Sequence, residues 1–179
     1  LIDLFGGSQL SAKRLGRLLA GWVVLTGPLG WAAGDWRSAS PAELTAALPA
    51  RAPVLSERIE TEMRSASGVV DEHGRLIAGV VLITAGYSAN GKYSDYLLVQ
   101  TPIRVAGTTL PPGGYLLGWA RSENNLLVTL SEAPTGRVAV QVSAHRNDTL
   151  RRVEQLRIWP APHGMIQLGR FTFDYSAEP

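Results

Sequence analysis

The chain has no cysteine among its 179 residues. That excludes a disulfide framework, a thiol nucleophile and any cysteine-ligated metal. It does not exclude export, because a chain this long can bury a sizeable core without bridges. Lysine is nearly missing as well: beyond residue 32, Lys92 stands alone beside thirteen arginines. The formal charge is +2 and the pI about 9.2, but Lys13, Arg14 and Arg17 against Asp3 account for all of the excess. Residues 33–179 hold fourteen basic and fourteen acidic residues and sum to zero. Nucleic-acid binders need clustered cations to displace counterions from phosphate. Arg151-Arg152 is the one adjacent basic pair in this stretch, so nucleic acid is set aside as a partner.

The familiar catalytic signatures are missing too. There is no Gly-x-Ser-x-Gly, no glycine-rich phosphate loop and no His-x-x-x-His pair. His73, His145 and His163 are far apart, each near a turn or on a polar strand face, and read as surface histidines rather than a metal site. Glu60 and Glu62 recur at period two, which reads as a solvated strand face and not as an acid–base pair. Asn147-Asp148-Thr149 fits a glycosylation sequon, and the expectation is that it is idle. The expectation is a protein that is not an enzyme, with no catalytic residues, no metal and no cofactor.

What is there begins with a leader. Lys13, Arg14 and Arg17 form a positive region, Leu18 to Leu29 an apolar one, and Gly30-Trp31-Ala32 offers small residues for a cut. The apolar run is short for a spanning helix and carries Gly27-Pro28. Residues 1–32 are therefore expected to be a signal peptide. Residues 1–11, opening on Leu1, read as an upstream extension or a fragment edge. The expected location is periplasmic or extracellular, with membrane contact only through the leader. Residues 33–53 read as a tether, either free or covering a sheet edge. Ser40-Pro41-Ala42-Glu43 starts a short helix reaching about Leu48, and Pro49 and Pro53 then enforce extended backbone.

From residue 54 to 176 the pattern is β. Residues 55–64 fit a helical stripe or a half-buried strand, and the hairpin signal that follows favours the strand. Asp71-Glu72-His73-Gly74 is a turn, and Leu76 to Ala85 is a long β-branched run. Tyr96 to Thr101 follows a polar loop, and Pro102-Ile103-Arg104-Val105 extends that strand through an edge or bulge. After Pro111-Pro112-Gly113-Gly114, read as a tight reversal with a glycine at positive φ, strands and turns alternate regularly. Val138, Val140, Val142 and Ala144 give one apolar face, with Arg137, Gln141, Ser143 and His145 on the other. Arg152–Trp159 and Met165–Tyr175 add two strands. The expected fold is all-β: an antiparallel β-sandwich or partly closed barrel of about eight strands.

Leu110-Pro111-Pro112-Gly113-Gly114-Tyr115, entered from an apolar strand, carries a resemblance over roughly residues 96–144. It is similar to the Leu-Pro-x-Gly-x-Tyr turn of small uncharacterised exported bacterial β-domain proteins. More weakly, it resembles prealbumin-like or carboxypeptidase-regulatory-like β-sandwich modules. The first resemblance implies no activity, and the second implies a scaffold or adhesion module with no catalytic residues. The long hairpin region 79–96 and the two strands after Arg152 depart from the sandwich modules.

One stretch stands out for binding: Tyr87, Asn90, Lys92, Tyr93 and Tyr96 within ten residues. Tyrosine offers stiff contact area and a hydroxyl, which suits a recognition loop; the alternative is that these rings cap the sheet ends and pack across the turn. Trp119 and Trp159 line a pocket if the sheet closes as a barrel, or fill the core. Three functions follow. The first is a noncatalytic exported sandwich binding an unknown protein or glycan at the envelope. The second is a small barrel holding an apolar ligand, lipocalin-like, with Trp119, Trp159, Phe171 and Phe173 around a cavity. The third is a hydrolase without a recognisable motif.

Overall fold

The computed structural model describes residues 36–83, 93–160 and 164–177. The expected leader lies outside these residues. In chain order they form β1 (Arg37–Ser38), α1 (Pro41–Ala47), β2 (Arg51–Val54), β3 (Glu57–Val70) and β4 (Leu76–Ile83). Next come β5 (Asp95–Val99), β6 (Ile103–Val105), β7 (Thr108–Leu110), β8 (Gly113–Ser122) and β9 (Asn125–Glu132). β10 (Val138–Arg146), β11 (Glu154–Trp159), β12 (Met165–Gly169) and β13 (Phe171–Ala177) complete the set.

The class is all-β, as the alternation requires, but wider than eight strands. Ten strands lie along one antiparallel path, in the order β1-β3-β4-β5-β8-β9-β10-β13-β12-β11. A sheet this wide leaves two open flanks and an apolar face unless it curls. Here it nearly closes. β3 and β11 meet at Ser67, whose hydroxyl accepts from the Ile158 N–H at 3.2 Å and donates to the Ile158 carbonyl at 3.3 Å. One side chain stands in for a ladder.

Inward residues fill the body of the barrel. Leu97, Leu117, Val128, Leu130, Ile158 and Ile166 are each 0 % exposed and belong to one cluster. The registers set Val99 against Gly113 at one end, and Leu82 against Asp95 and Ser122 against Asn125 at the other. The first end, the base, is plugged by the β6–β7 hairpin. Ile103, Val105 and Leu110 of that hairpin are buried in the inner cluster, and β6 also pairs with the end of β13. Its two-residue turn is Ala106-Gly107 at φ 48° and 80°, the left-handed pair that matches strand twist in a tight hairpin.

Two expectations change at this level, and one left open is decided. Pro102 does not prolong β5: the strand stops at Val99, and Ile103–Val105 is a strand of its own that folds over the base. A proline cannot donate to a central ladder, and the break lets the chain turn inward. Gly113 and Gly114 are not at positive φ but open β8 in extended form. Gly114 is needed for a different reason, because a Cβ there would come within 2.8 Å of the Tyr96 ring. Of the two readings of the tether, residues 36–54 take the one that covers an edge. β1 pairs with the flank of β3, β2 makes a hairpin with it, and Leu44, Leu48, Ala52 and Val54 are buried. They cover the outward Val81, Ile83, Tyr96 and Leu116 in a second cluster outside the barrel. The apolar residues of α1, invisible as an amphipathic pattern over seven residues, find their partner in the outer face of β4. The helix starts where the sequence places it, with Ser40 and Glu43 closing a capping box and Arg37 holding the Glu43 carboxylate at 2.6 and 2.9 Å.

Candidate functional site

At the end opposite the plug the inward register continues into polar residues. On β5, Asp95 shares its face with Leu97 and Val99; on β8, Trp119 and Arg121 share theirs with Tyr115 and Leu117. Asp95 lies directly across from Leu82 on one side and Leu117 on the other. Trp119, across from Val128, is one inward step nearer the mouth. Below this level the interior is packed. Above it lies a cavity of about 660 Å³, bounded by Leu82, Leu126, Leu168, Phe171 and Trp119, with Asp95 among its lining residues. The same cavity is edged by Arg121, Arg146 and Arg170, all exposed. Arg146 is held by Asp148 at 2.8 Å.

Asp95 is the anomaly. It is 3 % exposed, and one carboxylate oxygen, Oδ2, accepts from the Ser94 hydroxyl at 2.6 Å. The other, Oδ1, is buried and has no hydrogen-bond partner among the described residues. Burial pushes this carboxyl up to about 6, and the Ser94 bond only partly offsets that. A buried acceptor left unpaired destabilises a fold by roughly 1–3 kcal/mol, so each one calls for an explanation. Trp119 is unusual in the opposite sense, with 45 % of its surface exposed although Tyr115 and Leu117 before it on the same face are buried.

Set against protein-family models, curated proteins and solved structures, the chain matches none of them.

The residues singled out in the sequence fall into three groups. Tyr87, Asn90 and Lys92 lie outside the described residues. Tyr93 and Tyr96 are buried in the outer cluster with Leu116 and Ala133, where burial raises the Tyr96 hydroxyl above its ordinary range. Trp119 lines the mouth cavity, but Trp159 does not. The Trp159 indole donates to Gln167 Oε1 at 3.0 Å, and Arg157 stacks on its ring at 4.3 Å. Phe171 reaches the mouth while Phe173 is buried in the barrel interior. The two tryptophans thus sit toward opposite ends of the barrel, and no single pocket joins them. Asp95, Arg121, Leu126 and Leu168 were not anticipated. The signal for Asp95 is in the sequence, since it stands in phase with Leu97 and Val99, but it is obscured because it also ends the polar run that precedes the strand.

Two other concavities carry less chemistry. A groove of about 820 Å³ runs along the β3–β11 seam, edged by Glu62, Arg64, Arg152, Glu154 and Arg157. Glu154 there pairs with Arg152 at 3.0 Å and Arg157 at 3.6 Å. An outer groove on β8–β10 exposes Leu127 and Val138 beside Thr129 and Gln141, which bond to each other at 3.1 Å. Among the described residues no group of His, Asp and Glu is placed to hold a metal ion. His145 bonds to Asn125 at 3.2 Å in an exposed position.

Proposed function

We propose that this protein is a noncatalytic small barrel that binds one amphipathic small molecule in its mouth, the apolar body between Trp119, Leu126, Leu168 and Phe171. The observation that carries this reading is the asymmetry of the interior: a packed core sealed at the base, and a cavity of about 660 Å³ left at the other end. Ligand sites of small proteins are concavities of a few hundred Å³ with apolar walls and a few polar groups that orient the guest. The exposed arginines at the edge favour a guest whose outer end is anionic. Between the sandwich and barrel readings, the near closure of the sheet at Ser67 favours the barrel. Export, which rests on residues 12–32, belongs to the same proposal. No helix among the described residues is long and apolar enough to cross a membrane.

The test is titration of the full chain with dodecanoic acid, followed by tryptophan fluorescence. The expected result is a saturable change with one-to-one stoichiometry that disappears in Trp119→Phe, while isothermal calorimetry still detects binding to that variant. Absence of saturable binding by either method would sink the reading.

A further inference from the structure

We infer that the guest of the mouth cavity carries a neutral hydrogen-bond donor on its apolar body, a hydroxyl, which pairs with Asp95 while an acidic group stays at the arginine edge: the ligand is a hydroxylated amphiphilic acid. This rests on the mouth being a ligand site.

The argument starts from the two oxygens of Asp95. Ser94 holds one of them at 2.6 Å and the other has no partner. Asp95 is among the residues that line the cavity, and Ser94 engages only one of its two oxygens, so the carboxylate keeps one acceptor that no group among the described residues holds. The neighbours across the sheet, Leu82 and Leu117, are aliphatic and offer nothing to bond. The arginines are not the missing partners either. Arg146 is engaged by Asp148, and the perturbation of Asp95 comes from burial and Ser94 with no contribution from any arginine. The polar demands of the cavity are therefore two and separate: an acceptor set below, and cations above.

A hydroxyl meets the lower demand best. It donates to the carboxylate and, were the carboxyl protonated, accepts from it. An ammonium would have to shed its water between Leu82, Leu126 and Leu168 and enter a mouth already edged by three guanidinium groups. A wholly apolar guest would leave Asp95 unpaired and more deeply buried. Sites built to bond a hydroxyl reject the analogue lacking it far more strongly than apolar pockets reject a missing methylene.

The experiment compares dodecanoic acid with two hydroxydodecanoic acids, one hydroxylated beside the carboxylate and one at the far end, and with dodecylamine. Binding is measured by calorimetry to the full chain and to Asp95→Leu and Asp95→Asn. The expected outcome is that one hydroxy acid binds the native chain about tenfold tighter than dodecanoic acid. In Asp95→Leu that preference vanishes while dodecanoic acid still binds. Asp95→Asn, which keeps the shape and one acceptor but not the charge, retains a preference of a few-fold, and it serves as the reporter should the leucine variant fail to fold. Binding of dodecanoic acid with no preference for either hydroxy acid overturns the inference and leaves the mouth as an apolar site. A preference that is the same in native chain and both variants also overturns it, as does tighter binding of dodecylamine than of the acids. Failure of every probe to bind overturns the underlying reading as well.

Discussion

The two ends of the barrel are built from the same strands and obey opposite rules. At the base, apolar residues of the β6–β7 hairpin close the interior, and two tyrosine hydroxyls nearby are bonded. The Tyr115 hydroxyl donates to the Pro111 carbonyl at 2.7 Å and the Tyr175 hydroxyl to the Trp159 carbonyl at 2.8 Å. At the mouth, no hairpin covers the inward face among the described residues. Asp95 Oδ1 goes unbonded and Trp119 stands half in water. The base is apolar with its tyrosine hydroxyls paired, whereas the mouth leaves a buried carboxylate oxygen without a partner among the described residues. A fold that pairs its buried tyrosine hydroxyls at one end and leaves a carboxylate oxygen orphaned at the other has the contrast on which the proposed ligand site rests.

The largest effect is expected at the base. Leu110 is 1 % exposed inside the plug, so Leu110→Ala removes buried methyl groups and leaves a cavity the hairpin can only partly fill. The loss is about 2–5 kcal/mol, read as a lower urea midpoint. Ligand binding at the mouth is unchanged under conditions where the variant is folded. A loss below about 1 kcal/mol would mean the hairpin is a dispensable cover and the two ends are less different than described.

Asp95→Asn tests the other end and changes stability in the opposite direction. The folded carboxyl, at about 6, lies above its ordinary 3.8, so between those values the folded state holds a proton that the unfolded state has released. The group therefore lowers stability as pH rises from about 4 to about 6, and above 6 the penalty is complete at about 3 kcal/mol. Asparagine keeps the acceptor toward Ser94 and carries no charge. The variant should be more stable than the native chain at pH 7 by up to that amount, equal to it near pH 4, and without the intervening slope in a urea-midpoint series. Glu43, held down to about 2 by Arg37 and then by Ser40, acts in the opposite sense and only at more acid pH. A native chain whose stability is flat from pH 4 to 6 would remove the strain assigned to the mouth.

How far the sequence reaches differs between these ends as well. The alternation of β9 and β10 is legible because one face is dry and the other wet: Val140 and Ala144 are buried and Gln141 is out. Yet Val138, read on the same apolar face, is 53 % exposed, because the register slips between Val138 and Val140. A bulge changes a residue's face without changing the local pattern. The capping box at Ser40 was legible as local chemistry, whereas the burial of Leu44 depended on a partner forty residues away. The site was least legible. Trp119 carries no mark that separates a core tryptophan from one at a rim; only its place two steps beyond Leu117 on an inward face distinguishes it. Asp95 broke an apolar phase, and that break is the kind of local inconsistency a functional residue leaves in a sequence.

The smallest effect sharpens the contrast most. Trp119 is the largest side chain at the mouth, and a core tryptophan replaced by alanine would lose about 3–5 kcal/mol. With 45 % of its surface exposed and its inward neighbours Leu117 and Val128 already fully buried, Trp119→Ala opens no closed cavity and simply enlarges a space that water already enters. The expected change in urea midpoint stays within about 0.5 kcal/mol, the range of ordinary surface substitutions. Dodecanoic acid, in contrast, loses one wall of its site and binds measurably more weakly. A stability loss in the core range would place the indole in the folding core, and the mouth would then be an unfinished end of the barrel with no surface of its own to offer.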